Sequence, residues 1–595
     1  MLEFGIQGCF LSKGHVVESV EVEDLIRYLF PAGTRGTPGE IHFTPIWPPD
    51  LFGVAAYIAQ VTDCYTGLLD FHTLDSIGRV IQADHARLLE VGGYLAHFPD
   101  WRSLPTEIGI VIDKLWFNLL AGDNHSDEKS GDAWKTIVLK ILIIADTACE
   151  GLGFYNTSVA LKANPLDEND IPCWIGQVYA WMTDPQVYAR SRYFLSSGTG
   201  DWFWDFQAFV STSPGATSFE KQYSPSACIL IPPQRLCVLP KCLTPRVGCT
   251  IRSLSQNLSL HPGRNQVEAN WINHRFDSQF DDKYLNILIV PYPYNMRSTS
   301  FQPSSHPTSK VHTFSVSPTW LAEEPPIDKL ITQLYAAAIA EGKTVDVVIL
   351  PELALDHPAF LRLASTMAEL SPDFMMLIAG VSVQSETGVH VNTSYTAYIE
   401  NGLVHGYSIQ NKHHRWKLDD AQIKTYGLRH QLDPTFVWWE DTDVSGRTVD
   451  YHVFQKGACF SSLICEDLAR QDPCKPSIQA VGPNLIFALL MDAPQLKNRW
   501  PGRYTTGLVE DPGTSLLTVS SLGLIERSNW VHNATRRTVA LWGDQNSIRE
   551  IDLPLGYEAI LLVLANSEKP LYTLDNRTWK GQFWNLETLL PLKGL

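Results

Sequence analysis

The sequence has no run of five or six Lys and Arg, and its formal net charge is −18. A protein that tracks a phosphate backbone needs a local basic surface, so direct nucleic-acid binding is not expected. Nor does it have an apolar segment of the roughly 18 residues that a bilayer span requires. Ile137–Ala145 is the longest candidate; Lys140 interrupts it, and it reads as a buried helix rather than a membrane anchor. Residues 1–17 lack a basic start followed by an apolar stretch, so no secretory leader is expected. The 11 cysteines lack regular spacing, which argues against a disulfide framework and points to a reducing cytoplasm. Neither GxxxxGK[ST] nor GxGxxG occurs, so no nucleotide cofactor has a motif behind it. Cys228, Cys237, Cys242 and Cys249 do not form two close C-x-C pairs and read as thiols rather than zinc ligands. His125 and Asp127, with Asp146 and Glu150, are open to two readings: a metal or phosphohydrolase cluster, or a polar loop and helix carboxylates.

What is present is ordinary globular composition, 45% apolar and 18% charged. A chain of 595 residues is too long for one core, and two or three domains are expected. Residues 1–225 read as mostly helical: Val22, Leu25, Ile26, Leu29 and Phe30 recur at helical spacing. The polar stretch 122–132 leads into a nearly all-apolar helix, Trp134–Cys149. Residues 226–282 carry short apolar runs, Ile229–Ile231 and Leu236–Leu239, between prolines and glycines, as in a small β-rich connector. From 283 to 595 strands and helices alternate. Leu285–Val290, Val345–Leu350, Met375–Ala379, Leu403–Ile409 and Phe460–Ile464 read as strands. Pro325-Pro326 opens one helix, and Leu355–Leu370 reads as another. That alternation predicts an α/β layered fold.

Chemistry in α/β proteins gathers just beyond the carboxyl ends of strands. Three such ends carry reactive side chains: Glu352 after VDVVIL-Pro, Lys412 after Leu403–Ile409, and Cys465 after Phe460–Ile464. A thiol with a carboxylate base can attack an amide or nitrile carbon. An ammonium and the backbone N–H following the cysteine can receive the developing negative charge, and the ammonium favours the thiolate. Taken singly, such a Cys is usually a buried hydrophobe, and such a Glu or Lys a solvated surface residue.

The order Glu, Lys, Cys with these flanks resembles the nitrilase (carbon–nitrogen hydrolase) superfamily. VVILPELAL at Val347–Leu355 is similar to its glutamate motif. Asn392-Thr393, Gly402 and Tyr407 leading to Lys412-His413-His414 resemble its lysine motif. LICEDLARQDP at Leu463–Pro473 resembles its cysteine motif, in the Cys-Glu-Asp form of glutamine-hydrolysing members, and Asn484–Leu490 resembles the strand that follows. The resemblance covers about residues 285–595. It implies a four-layer α-β-β-α sandwich, paired across a helical face into a homo-oligomer, without metal or cofactor. It assigns Glu352 as general base, Lys412 as stabiliser of the tetrahedral intermediate, Cys465 as nucleophile and the Glu466 N–H as oxyanion donor. Asp420, eight residues past the lysine, stands where many members carry a second carboxylate. Lys417 is a rival for the lysine role.

The resulting expectation is a thiol hydrolase acting on a small-molecule amide, nitrile or carbamoyl compound. A catalytically silent scaffold that binds a small molecule or a protein partner is the other reading. A helical module beside a nitrilase-like domain resembles proteins of bacterial antiviral defence, where such domains accompany reverse transcriptases. The C-terminal half is long enough to fold alone, so the N-terminal half is expected to join subunits, bind a partner or gate the Cys465 pocket. Trp174, Trp181, Trp202 and Trp204 would be its anchors, or else fill its own core.

Overall fold

The computed structural model describes residues 22–30, 48–97, 106–121, 133–154 and, apart from short breaks, 226–594. The stretch 122–132, with His125 and Asp127, lies outside these residues, as do Trp174, Trp181, Trp202 and Trp204. The described residues before 155 form the helices Val22–Leu29 (α1), Pro48–Thr62 (α2), Ile77–His97 (α3), Thr106–Ala121 (α4) and Ala133–Ala148 (α5). In α5 the residues Val138, Leu139 and Ile141 to Asp146 are all buried, and a helix apolar on every side must sit at the centre of its bundle. Leu236–Pro240 (β1) and Leu258–Pro262 (β2) then form an antiparallel pair.

Two seven-stranded sheets dominate the rest. The first contains Tyr284–Ile289 (β4), Val347–Asp356 (β7), Met375–Gln384 (β8), His390–Glu400 (β9), Leu403–Asn411 (β10), Ala559–Tyr572 (β19) and Thr578–Leu592 (β20), in the order β10-β9-β8-β7-β4-β19-β20. The second contains Glu268–Asn273 (β3), Thr448–Gln455 (β13), Ala458–Ile464 (β14), Leu485–Leu490 (β15), Ser515–Ser520 (β16), Thr538–Gly543 (β17) and Ile548–Asp552 (β18), in the order β18-β17-β16-β15-β14-β13-β3. A smaller sheet joins Phe301–Pro303 (β5), His312–Val316 (β6), Lys417-Leu418 (β11) and Trp438–Glu440 (β12). Both large sheets carry three parallel strands at the middle, β4-β7-β8 and β14-β15-β16. Parallel strands are covered on both faces, which is why LIFALL in β15 is buried at every position.

Side chains from the two sheets meet face to face: Ile287, Ile349 and Ile378 of the first share one core with Phe460, Phe487 and Leu517 of the second. The other face of the first sheet is covered by Ile327–Ala340 (α6) and His357–Leu370 (α7), through Ile331, Leu334, Phe360 and Leu363. Pro326 caps α6, and the Asp356 carboxylate caps α7 by accepting from the Ala359 N–H at 2.8 Å. Over the outer face of the second sheet lie Cys474–Val481 (α10) and Trp500–Glu510 (α11). The layers run α-β-β-α.

Two expectations need correction. The boundary at 282/283 cuts through a sheet, because β3 pairs in parallel with β13, from Glu268 opposite Thr448 to Asn273 opposite Val453. Among the described residues, the helices also form no core separate from that of the second sheet. Leu51, Leu142 and Trp116 belong to one continuous apolar cluster with Leu463, Ile478, Ile486 and Leu508 of the second sheet and its helices. Trp271 of β3 shows the join: its Nε1–H donates to the Gly153 carbonyl at 2.9 Å, and its ring packs on Phe154 and Tyr451. Periodicity in the sequence marks each element but carries no information about which elements share a core.

The long β19-β20 hairpin fastens this junction. Near its tip the Arg577 guanidinium is buried and pairs with Asp146 of α5 at 2.6 Å and with Asp575 at 2.8 Å. Asp146, read from sequence as part of a metal or loop cluster, also accepts the backbone N–H groups of Gln256, Asn257 and Leu258 at 2.6, 2.9 and 2.9 Å. Asp575 accepts in addition from His85 of α3, 3.3 Å away. Burial alone would raise the Asp575 carboxyl, but Arg577 and these bonds hold it well below the usual carboxylate range.

A fragment comprising residues 281–595 loses β3 and uncovers the outer face of the second sheet. We expect it to be insoluble, whereas the full chain is not; fractionation after expression of both decides this. Arg577→Met should cost about 3–5 kcal/mol of stability, because two buried carboxylates lose their partner. Since Asp575 titrates low in the folded state, its contribution is complete above about pH 4 and falls away as the pH drops further. Urea unfolding of wild type and Arg577→Met between pH 3 and 7 should therefore show a difference that narrows in acid.

Candidate active site

Glu352 owes its position to a break in the ladder. Strand β7 does not end at Pro351-Glu352, as the sequence suggested, but continues to Asp356 through a bulge between Leu350 and Leu355. Pro351 has no N–H to donate and Leu353 takes φ 54°, so the chain bows out and presents Glu352 inward. Gly380 on the neighbouring strand makes room; a Cβ there would collide with the Cα of Glu352. Lys412 follows β10, its N–H still paired with the Asn392 carbonyl of β9 at 2.9 Å.

The two side chains meet. The Lys412 ammonium donates to Glu352 Oε1 at 2.7 Å, and on its other side to Glu440 Oε2 at 2.6 Å. Asn392 Nδ2 closes the group by donating to Glu352 Oε1 and Glu440 Oε1, both at 2.8 Å. Lys412 is fully buried, and the carboxylates are almost so. Desolvation pulls against the charged ammonium, but the two carboxylates prevail and hold its pKa well above the ordinary lysine value. Burial raises the Glu352 carboxyl, with Glu440 adding to the rise and Lys412 opposing it. Glu352 Oε2 is buried and makes no hydrogen bond among the described residues, which leaves one oxygen available to take a proton.

Cys465 closes the site from the second sheet. It occupies a sharp turn, φ 45° and ψ −106°, between β14 and the short helix Glu466–Ala469 (α9). Positive φ at a non-glycine residue is a strained backbone, and here it follows a strand whose seven residues are all buried. Its own N–H is held by the Leu489 carbonyl at 2.9 Å. The Glu466 N–H that follows stands in the first turn of α9, where amides lack intrahelical acceptors. The Glu466 side chain pairs with Arg470 at 2.6 Å. Burial pushes the Cys465 thiol well above its usual pKa, Glu352 pushes it further and Lys412 opposes them. Cys465 is therefore within electrostatic reach of both groups, which act on its thiol in opposite directions.

Asp420, expected as the second carboxylate, is not part of this group. It begins the helix Asp420–Thr425 (α8), is 63% exposed, and lies 3.4 Å from Arg429. An acidic residue in a first helical turn suits the local dipole, which explains its presence there. Glu440, from β12, stands beside the lysine instead. Its signal in the sequence is slight: Trp438 and Glu440 share the buried face of a short strand while Trp439 is exposed, and a carboxylate on a buried face needs a partner. Lys417 projects outward with its ammonium 5.8 Å from the Trp439 ring centroid. A further group beside Cys465 was not anticipated. Asp492, two residues past β15, accepts a two-pronged Arg499 at 2.9 and 3.0 Å and the Tyr426 hydroxyl at 2.7 Å. The cysteines considered for zinc are dispersed: Cys228 meets the Pro49 carbonyl, Cys237 that of Pro233, Cys242 lies against Cys459, and Cys249 is exposed.

Neither a protein-family model nor a curated protein matches the chain. Among solved structures, similarity is found to the following, among others. A glutamine-dependent NAD+ synthetase from Acinetobacter baumannii is 15% identical over 48% of this chain and 46% of that one, with a TM-score of 0.29. Nit3 from Saccharomyces cerevisiae, of branch 10 of the nitrilase superfamily, is 12% identical over 53% and 93%, at 0.26. A carbon–nitrogen hydrolase from Helicobacter pylori G27 is 12% identical over 50% and 88%, at 0.25. The similarity is to nitrilase-type structures. It spans about half of this chain and less than half of the synthetase. Likeness this distant says nothing of activity, and the sandwich stands on its own layers and cores.

Exchanging the two candidate carboxylates separates them. Glu440→Gln should lower turnover of an accepted amide by about 100-fold through displacement of Lys412. Asp420→Asn should leave turnover at the wild-type level. Steady-state ammonia release from the two variants is the measurement.

Proposed function

We propose that the protein is a thiol hydrolase of the nitrilase type, cleaving a non-peptide C–N bond of a small amide, nitrile or carbamoyl compound through a covalent intermediate on Cys465. The observation that carries this reading is the buried Lys412 ammonium, held by Glu352 and Glu440 beside a cysteine on a strained turn. A lysine is expensive to bury. Two carboxylates and an amide arranged around it, next to a thiol, form an electrostatic site set up before any substrate arrives.

In this scheme substrate lowers the barrier to thiolate formation. Glu352, with Oε2 unoccupied, takes the thiol proton as Cys465 Sγ bonds to the carbonyl carbon. The carbonyl oxygen gains the electron pair and is met by the Lys412 ammonium and the Glu466 N–H. Collapse of the tetrahedral species breaks the C–N bond, and Glu352 returns its proton to the departing nitrogen. A thioester remains. A nitrile instead adds the thiol across its C≡N bond, the thiol proton passing to nitrogen, and the thioimidate keeps that nitrogen; one water then adds and ammonia leaves to give the same thioester. Glu352 then deprotonates a water that attacks the same carbon, and the acid leaves as the thiol re-forms. The raised Glu352 carboxyl suits it to carry a proton in both directions. Glu440 faces the Lys412 ammonium on the side away from Glu352 and holds it in place.

Cys465→Ala should abolish turnover of every accepted substrate while shifting thermal stability little, since it removes one sulfur worth about 1 kcal/mol of packing. The test is a panel of small amides, nitriles and N-carbamoyl compounds, read by ammonia release. Intact-mass detection of an acyl adduct on wild type but not on Cys465→Ala completes it. Turnover near the wild-type rate in Cys465→Ala would sink the mechanism. A complete lack of turnover and adduct across the panel would favour the scaffold reading.

A further inference from the structure

Lys412 and Cys465 belong to different sheets, so their separation depends on what ties β10 to β14. Two side chains do so, one on each side of the reacting pair. Gln410, two residues before the lysine, donates to the Ser462 carbonyl of β14 at 2.6 Å and accepts the Asp450 N–H at 2.9 Å. Asp467, two residues after the cysteine, accepts the His413 N–H on both carboxylate oxygens at 3.2 and 3.1 Å, and His414 Nδ1 at 2.9 Å. His413 is the residue directly after Lys412. Its ring is engaged on both nitrogens, with the Thr448 carbonyl at 2.8 Å and Cys474 Sγ at 2.9 Å. The peptide carrying the lysine is thus gripped from the nucleophile's own turn.

An ordinary loop-capping carboxylate would be exposed and would serve donors within its own turn. Asp467 is different on both counts: its side chain is 1% exposed, and its donors come from a strand end more than fifty residues away. A carboxylate buried to that degree is costly unless its donors are fixed in place. Its placement makes the cysteine turn and the lysine loop move as one body.

We propose that Asp467 is a positioning residue that fixes the Lys412 ammonium relative to the Cys465 thiol, and with it the reactivity of the nucleophile. The inference rests on the hydrolase reading above. Asp467 touches no substrate in this role; it acts through the backbone of His413.

The test uses the full chain and reads the pH profile of Cys465 alkylation by iodoacetamide, mapped by peptide mass. The exposed Cys249 in the same digest is the internal control. Wild type, Asp467→Ala, Asp467→Asn, Lys412→Met and the Asp467→Ala/Lys412→Met pair are compared, with melting temperature recorded for each. We expect Asp467→Ala to shift the Cys465 profile to higher pH as Lys412→Met does, the pair to add nothing further, and Cys249 to be unmoved. Asp467→Asn, which keeps one carbonyl acceptor for the His413 N–H, should shift partway and so reports even if the alanine variant folds poorly. On an accepted amide, kcat should fall about 100-fold with KM nearly constant, the signature of a misplaced group rather than a lost binding contact. A lowered melting temperature in Asp467→Asn with wild-type alkylation and kcat would reduce Asp467 to a structural prop and overturn the inference alone. A Lys412→Met variant with wild-type profile and turnover would overturn the hydrolase reading itself, and this inference with it.

Discussion

A single buried cation organises the site. Lys412 has no exposure to solvent, and its charge is tolerable only because Glu352 and Glu440 approach it from opposite sides. Each carboxylate comes from a separate sheet element, the bulge of β7 and the end of β12, and the lysine from a third, past β10. Removing either acid would leave the buried ammonium with a single carboxylate partner and one of its hydrogen bonds unmade. The bulge, the glycine opposite it and the small four-stranded sheet that carries Glu440 are consequences of that requirement. Asn392, donating to both acids, keeps them from drifting apart.

The thiol experiences the same field from the other side. Burial and Glu352 push the Cys465 thiol above its usual pKa while Lys412 opposes them, so the placement of these two groups bears on how readily the proton leaves. Strain at its φ of 45° is held by the Leu489 carbonyl and by the strand behind it. Stability is thus spent at the turn in order to expose a sulfur at the right edge of the sheet.

Much of this was readable from residues alone, for a physical reason. Strands buried on both faces must be apolar at every position, so LNILIV announced itself, whereas LIFALL came only with the family resemblance of Asn484–Leu490. Glu440 was not readable, because its role depends on a three-residue strand folding back beside the lysine, a contact that periodicity does not encode. Asp420 looked suitable by spacing, yet it serves a helix start. The continuation of β7 beyond Pro351 was hidden too, since a bulge is fixed by the neighbouring strand, here through Gly380. The supposed connector was misjudged for the same reason: β3 is short and mixed in sequence, and only its pairing with β13 makes it part of the sheet.

The β19-β20 hairpin has a consequence for how the molecule is made. Its Arg577 completes the buried charge network of Asp146 on α5, 431 residues earlier in the chain. A ribosome therefore delivers the helices long before the group that neutralises their buried acid, and before the sheet face that covers their apolar sides. During synthesis these helices must wait in a partly assembled state, with apolar surface open to other chains, a condition that favours aggregation and recruits chaperones. The helices thus reach their native surroundings only once the far end of the chain has been made.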